Sequence, residues 1–210
     1  MKPFITIFVI TANLFSNQIL AQTEWDAKVL EAANTAKEIG HLSQEEKSII
    51  FYTNLARMNG PLFAETYLKS YLEKNNISNN KWVVSLKKDL KKAPLMSPLE
   101  PQEDLYEAAK SHAEKSGKTG RTGHFDFNER TKELMKKYDG IGENCEYGSA
   151  NGLSVVMNLL IDEKVSNLGH RKNILNAEFK YLGTSIQKHK KWGFNSVVIY
   201  GREIKNSPAR

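Results

Sequence analysis

Two histidines and a group of acidic residues are the side chains in this sequence best suited to chemistry. His124 follows Gly123, Glu143 follows Gly142, and His170 follows Gly169. A second acidic pair, Asp162-Glu163, ends seven residues before His170. Imidazole and carboxylate together form a mixed nitrogen and oxygen donor set, which suits Zn²⁺ or another first-row divalent ion. Two carboxylates in one pocket repel, and a cation or an imidazolium relieves that repulsion. Each preceding glycine lets the chain turn sharply and expose the next side chain. If such a site turned over substrate, Glu143 or Glu163 would be the base acting on a metal-activated water. No His-Glu-x-x-His helix is present, so the metalloprotease signature is missing.

The same residues have plainer readings. His124 and His170 could be loop hydrogen-bonders, and Glu143 could cap backbone amides or pair with a histidine. Asn144 reads as a hydrogen-bonder shaping the turn after Gly142. His112 sits on the apolar side of a helix and reads as a core histidine, with lining the cleft as the alternative. Arg171 reads as a tie holding its loop through an ion pair. Cys145 is the only cysteine, so intrachain disulfides are excluded, and a lone cysteine is usually a small buried hydrophobe.

The elements that must position these groups are mostly helical. Residues 24–39 form a weak amphipathic pattern, read as a loosely attached N-terminal arm. Ser43 and Glu46 have capping-box spacing and open a helix with Ile49, Ile50, Thr53 and Ala56 on one face. Gly60 suits its C-terminal cap, and Pro61 the first turn of a second helix. A third amphipathic piece starts at Lys81. Pro94 to Pro101 reads as a loop, and Glu103 to Gly117 as a helix stopped by Gly117. Asp126 to Tyr138 carries another helical pattern. Leu153 to Ile161 is almost wholly apolar and reads as a buried helix. The period then changes: Tyr181–Lys188 and Phe194–Tyr200 are β-branched or aromatic runs around a turn, a hairpin signal.

The chain has 210 residues, enough for one sizeable domain. Lys and Arg exceed Asp and Glu by 30 to 24, a net charge of +6. The lysines alternate with glutamates and form no basic aromatic stripe, so a nucleic-acid partner is not indicated. Residues 1–21 read as a signal peptide: Lys2, a short apolar run from Phe4 to Phe15, and a cleavage site after Ala21. That run is too short to span a membrane, which takes about 20 apolar residues. A secreted or periplasmic location follows.

The ordered blocks Gly123-His124-Phe125, Gly142-Glu143-Asn144, Asp162-Glu163, Gly169-His170-Arg171-Lys172-Asn173 and Tyr181-Leu182-Gly183 resemble the CAP superfamily, the SCP/PR-1-like domain, in a disulfide-free bacterial form. The resemblance covers about residues 45–201. It implies an α+β fold, an α-β-α sandwich with a small antiparallel sheet between helical layers. Together with the reading of the residues, it divides the chain into a signal peptide (1–21), an arm (22–42), the domain (43–203) with a helical insertion over about 62–100, and a frayed tail (204–210). It places His124, Glu143, Glu163 and His170 in a metal-binding tetrad, with Asp162 one residue out of register as the alternative fourth acid. It implies a small-molecule, lipid or cell-envelope ligand, a divalent cofactor such as zinc, and no shared enzymatic activity.

Overall fold

Alternation along two long C-terminal strands decides the layers. Strands β3 (Tyr181–His189) and β4 (Gly193–Gly201) pair antiparallel as the expected hairpin. Side chains alternate across a strand. Val197 and Ile199 therefore enter one core cluster, and Val198 and Tyr200 the other. The computed structural model describes residues 24–205; the expected signal peptide lies outside the described residues.

Before the hairpin run α1 (Ala27–Ala33), α2 (Gln44–Met58) and α3 (Gly60–Phe63). A π-helical turn (Ala64–Leu68) leads into α4 (Lys69–Lys74), then α5 (Lys81–Lys92). The short strand β1 (Glu100–Pro101) precedes α6 (Glu103–Thr119), α7 (Phe127–Arg130) and α8 (Leu134–Lys137). Strand β2 (Ile141–Tyr147), α9 (Gly152–Ile161) and α10 (Gly169–Ile174) complete the set.

The sheet order is β1-β3-β4-β2. Helix α6 packs on one face of β3 and β4, with Leu105, Ala109 and Ala113 fully buried beside Cys145, Val197 and Ile199. The close fit needs Gly183, where a Cβ would collide with the Leu105–Tyr106 backbone. Helices α2, α9 and α10 cover the other face. The sandwich is thus the expected one. The three long strands are antiparallel, but β1 adds a parallel edge to β3, so the sheet is mixed.

Several local expectations change. The Gly142-Glu143-Asn144 stretch is a strand, not a turn, because Ile141 to Tyr147 pairs residue for residue with β4. The helix expected over Asp126–Tyr138 is two single turns. It starts late because Asp126 has φ +58, and it is interrupted at Thr131, whose hydroxyl bonds back to the Phe127 carbonyl. Gly60 begins α3 rather than ending α2; Asn59 caps both, its side chain accepting from Leu62 N. Gly117 is interior to α6, packed against the Lys188 carbonyl, and the stop is Gly120 at φ +72.

The arm is docked, not loose. Trp25 is buried and its indole N–H donates to Thr66 Oγ1 at 3.1 Å, while Asn54 Nδ2 donates to the Ala33 carbonyl at 3.0 Å. The segment 62–100 is equally integrated. Val83, Leu86 and Leu90 of α5 are fully buried, contributing roughly 5–9 kcal/mol relative to exposure. Ile204 bridges Tyr138 and Lys205 N–H reaches the Lys137 carbonyl, so the expected fray does not begin at 204; residues 206–210 lie outside the described residues.

Candidate functional site

Among the described residues strand β2 pairs only with β4, which leaves its outer edge without a neighbouring strand. The site forms there, from side chains that arrive from both layers. Cys145 packs in one cluster with Ala109 and Ala113 of α6, and Glu143, two residues before it on the strand, lies 3.8 Å from His112 of the same helix, so both point to the α6 side. Asn144 points the other way, toward Tyr200 and α10.

Glu143 is the centre of the first half. Its side chain is 1 % exposed. His124 Nδ1 lies 2.9 Å from Oε1, and Arg130 forks onto both oxygens at 2.8 and 3.0 Å. Burial pushes the Glu143 carboxyl up, but hydrogen bonds from His124 and Arg130 outweigh it and hold the group below the usual carboxylate range. The ionised carboxylate can only accept, so Nδ1 of His124 carries a proton, and in the neutral ring Nε2 is the nitrogen that keeps its lone pair. The loop that delivers His124 turns at Gly123, φ +85. It is pinned by the Gly123 N–H donating to Tyr147 Oη at 2.7 Å and by Arg130 Nε donating to the Phe125 carbonyl at 3.0 Å.

The second half is built on Asp162, the C-cap of α9, which sits at φ +55. Its Oδ1 accepts from His170 Nδ1 at 2.8 Å. Its Oδ2 accepts the backbone N–H of His170 and of Arg171, at 3.0 and 3.2 Å. Nδ1 of His170 therefore also carries a proton, and Nε2 is again the free nitrogen. The two imidazole rings come together at the β2 edge, with centroids 6.3 Å apart and planes tilted by 43°. Their side chains are 48 % and 22 % exposed, so solvent reaches both.

The fourth group of this arrangement, and its second acid, is Asp162. Glu163 does not join it: among the described residues its carboxylate pairs with Lys164 at 3.7 Å, and the side chain is 43 % exposed. Asn144 does not shape a turn. It ties α10 to β2 by donating to the His170 carbonyl and accepting from Asn173. Arg171 is outside the cleft and buried. It joins α5 to the end of α9 through Asp89, Ser85 and the Leu160 and Ile161 carbonyls. His112 is buried below Glu143, with Nε2 3.0 Å from the Gly123 carbonyl and 3.8 Å from Glu143 Oε1. Burial keeps it neutral by lowering its pKa.

Ligand atoms of His112, Glu143 and Cys145 lie within 4.8 Å of one another, a buried group that could hold a metal ion. In the arrangement seen, those atoms are engaged elsewhere. Nε2 of His112 donates to Gly123, Glu143 holds the Arg130 fork, and burial beside Glu143 pushes the Cys145 thiol well up, disfavouring a thiolate. The reading of Cys145 as a small buried hydrophobe agrees with this environment.

A family model for the cysteine-rich secretory protein family, CAP, matches residues 52–200. The chain belongs to the CAP family. Its histidine–carboxylate pairs, strand β2 and the hairpin as far as Tyr200 fall inside the matched region, whereas α1 and the first two turns of α2 precede it. Similar solved structures include the CAP domain of enterococcal PrgA, at 17% identity and TM-score 0.43, covering 98% of this chain and 84% of that one. An extracellular SCP-domain protein from Bacillus anthracis matches at 17% identity and TM-score 0.46; the match spans 78% of this chain but 45% of that protein. An outer surface protein from Borrelia burgdorferi matches at 20% identity and TM-score 0.43, over 60% of this chain and 96% of that one. No curated protein matches the chain. Among the described residues, no helix is long and apolar enough to cross a membrane.

Arg130 was invisible in the sequence reading. Its role depends on a fork reaching Glu143 thirteen residues away, from a segment expected as continuous helix. The only sequence signal for it is a basic residue shortly after the Gly-His-Phe block.

Proposed function

We propose that this CAP protein is an exported binding protein whose His124 and His170 Nε2 atoms together hold a divalent cation, zinc foremost, at which a small extracellular or cell-envelope ligand is presented. The observation that carries the reading is the paired geometry: two imidazoles, each with Nδ1 engaged by a buried carboxylate, standing 6.3 Å apart. A nitrogen ligates zinc at about 2.1 Å, which puts two ring centroids sharing one ion roughly 5–6.5 Å apart. A carboxylate on the far nitrogen fixes the tautomer and raises ligand basicity. Glu143 and Asp162 thus act by orienting the imidazoles. Two protein donors leave open positions, and a bound cation would supply Lewis-acid polarisation of a ligand oxygen there.

Turnover is not part of this reading. Both oxygens of Glu143 are already occupied and its carboxyl is held low, which makes it a poor base. Glu163, the other candidate base, is turned to solvent. Export rests on the signal-like residues 1–21.

The test is calorimetric titration of Zn²⁺ into the wild type and into a His124→Ala, His170→Ala double variant. The wild type is expected to bind one equivalent. The double variant, which loses both donors, is expected to lose more than about 100-fold in affinity, the upper end of what removing an orienting partner alone costs. Equal binding by both proteins would sink the reading.

A further inference from the structure

The opposite edge of the sheet holds a second candidate site, independent of the histidine pair and partly built by the docked arm. Beyond Leu182 the outer edge of β3 has no strand beside it, because β1 covers only Tyr181 and Leu182. A cavity of about 200 Å³ lies there. Its walls are mainly apolar: Leu42 from the arm, Ile50 from α2, Pro101 and Leu182. At its mouth the His41 ring packs on Tyr106, centroids 4.5 Å apart, and His41 Nε2 meets Glu103 Oε2 at 3.2 Å.

Thr184 also lines this cavity. Its side chain is fully buried, yet Oγ1 has no hydrogen-bond partner among the described residues. Buried hydroxyls are normally paired. The main chain points the same way. Ile186 N–H donates outward to Glu46 Oε1, and the Leu182 carbonyl accepts from Gln102 N–H. Antiparallel alternation therefore turns the amide and carbonyl of Thr184, which lies between them, to this edge.

We infer that this cavity binds a small neutral molecule of about one ring's size that carries a single hydrogen-bonding oxygen, met by Thr184. The size follows from volume: an apolar cavity of about 150 Å³ accommodates benzene, and a sterol or long acyl chain would not fit. Neutrality follows from the walls. The charged groups, His41 and Glu103, sit at the mouth and pair with each other, and a charge carried deeper would lose its hydration without a partner.

Benzyl alcohol and toluene serve as matched probes, with and without the oxygen, in amide-resolved NMR titrations of the protein. Benzyl alcohol is expected to shift the amides of Leu42, Tyr106 and Thr184 saturably. Thr184→Val is expected to weaken benzyl alcohol roughly fivefold, as one net hydrogen bond would, while toluene changes by less than about twofold. The same variant, free of ligand, is expected to melt at a higher temperature than wild type, because an unpaired buried hydroxyl has been replaced by a methyl. Ile39→Trp, which fills the cavity from its partly exposed wall, is expected to abolish binding of both probes in a protein that still melts cooperatively. The His124→Ala, His170→Ala variant is expected to bind benzyl alcohol as wild type does. Absence of saturable shifts with either probe overturns the proposal. So does a Thr184→Val variant that binds benzyl alcohol unchanged.

Discussion

The two histidine–carboxylate pairs reach the same place by different means. His170 is held through main chain: Asp162 caps α9, and the same carboxylate accepts two successive backbone amides together with the ring N–H. His124 is held through side chains: Glu143 projects from a strand, and an arginine from a separate helical turn fixes it. A carboxylate tied to backbone amides cannot be released without unmaking a helix end. One tied to an arginine and a loop histidine can be loosened locally. The His170 half should therefore behave as part of the fold, and the His124 half as the adjustable part of the site, consistent with its greater exposure.

Asp162→Ala probes the first half hardest. It leaves the His170 and Arg171 amides without their acceptor and puts alanine at φ +55. A loss of about 2–4 kcal/mol of unfolding free energy is expected by chemical denaturation. A loss within about 0.5 kcal/mol, the range of ordinary surface changes, would break the comparison. Glu143→Gln keeps the shape but weakens the orientation of His124. Zinc affinity is expected to fall about 10- to 100-fold by calorimetry with little change in fold, as outer-shell changes do.

Arg130→Ala removes the fork and leaves Glu143 buried with fewer partners. Its expected cost is about 1–3 kcal/mol in stability, with the Glu143 carboxyl rising toward the ordinary range in a carbon-13 pH titration. A smaller effect comes from pH. Burial holds His112 neutral when folded, so the unfolded chain takes up the proton first below about pH 6.5. Stability should then fall on acidification. Glu146 works in the opposite sense: burial raises its carboxyl, the folded state takes the proton first, and its contribution improves as pH falls. Glu146→Gln should therefore steepen the acid loss of melting temperature, and an unchanged slope would remove Glu146 from the account. Glu163→Ala is the smallest change, expected within about 0.5 kcal/mol and without effect on zinc.

Those predictions separate what the sequence disclosed from what it concealed. Periodicity was enough for α2, α5, α6, α9 and the hairpin, whose apolar spacing is strong. The blocks around His124, Glu143 and His170 named three of the four groups that meet at the β2 edge. The fourth was uncertain because Asp162 and Glu163 are adjacent and chemically alike. What selects Asp162 is the left-handed cap, which turns its side chain back to the His170 amide and sends Glu163 outward. Arg130 was hidden because its partner lies on another element, and ion pairs across elements leave no periodic trace. Strand β2 was hidden because Gly142, Glu143 and Asn144 are poor strand formers taken singly. Pairing with the central strand β4 overrides that preference.

The central claim is that Nε2 of both histidines is the free, metal-facing nitrogen while Nδ1 is protonated against a carboxylate. Nitrogen-15 spectra of the imidazole rings, recorded with and without Zn²⁺, read this directly. The account predicts Nδ1–H tautomers for His124 and His170 before addition, and a shift of both Nε2 resonances on addition, with both Nδ1 protons retained. Zinc-induced shifts at Nδ1, or Nε2 resonances that do not move at saturating Zn²⁺, would contradict it.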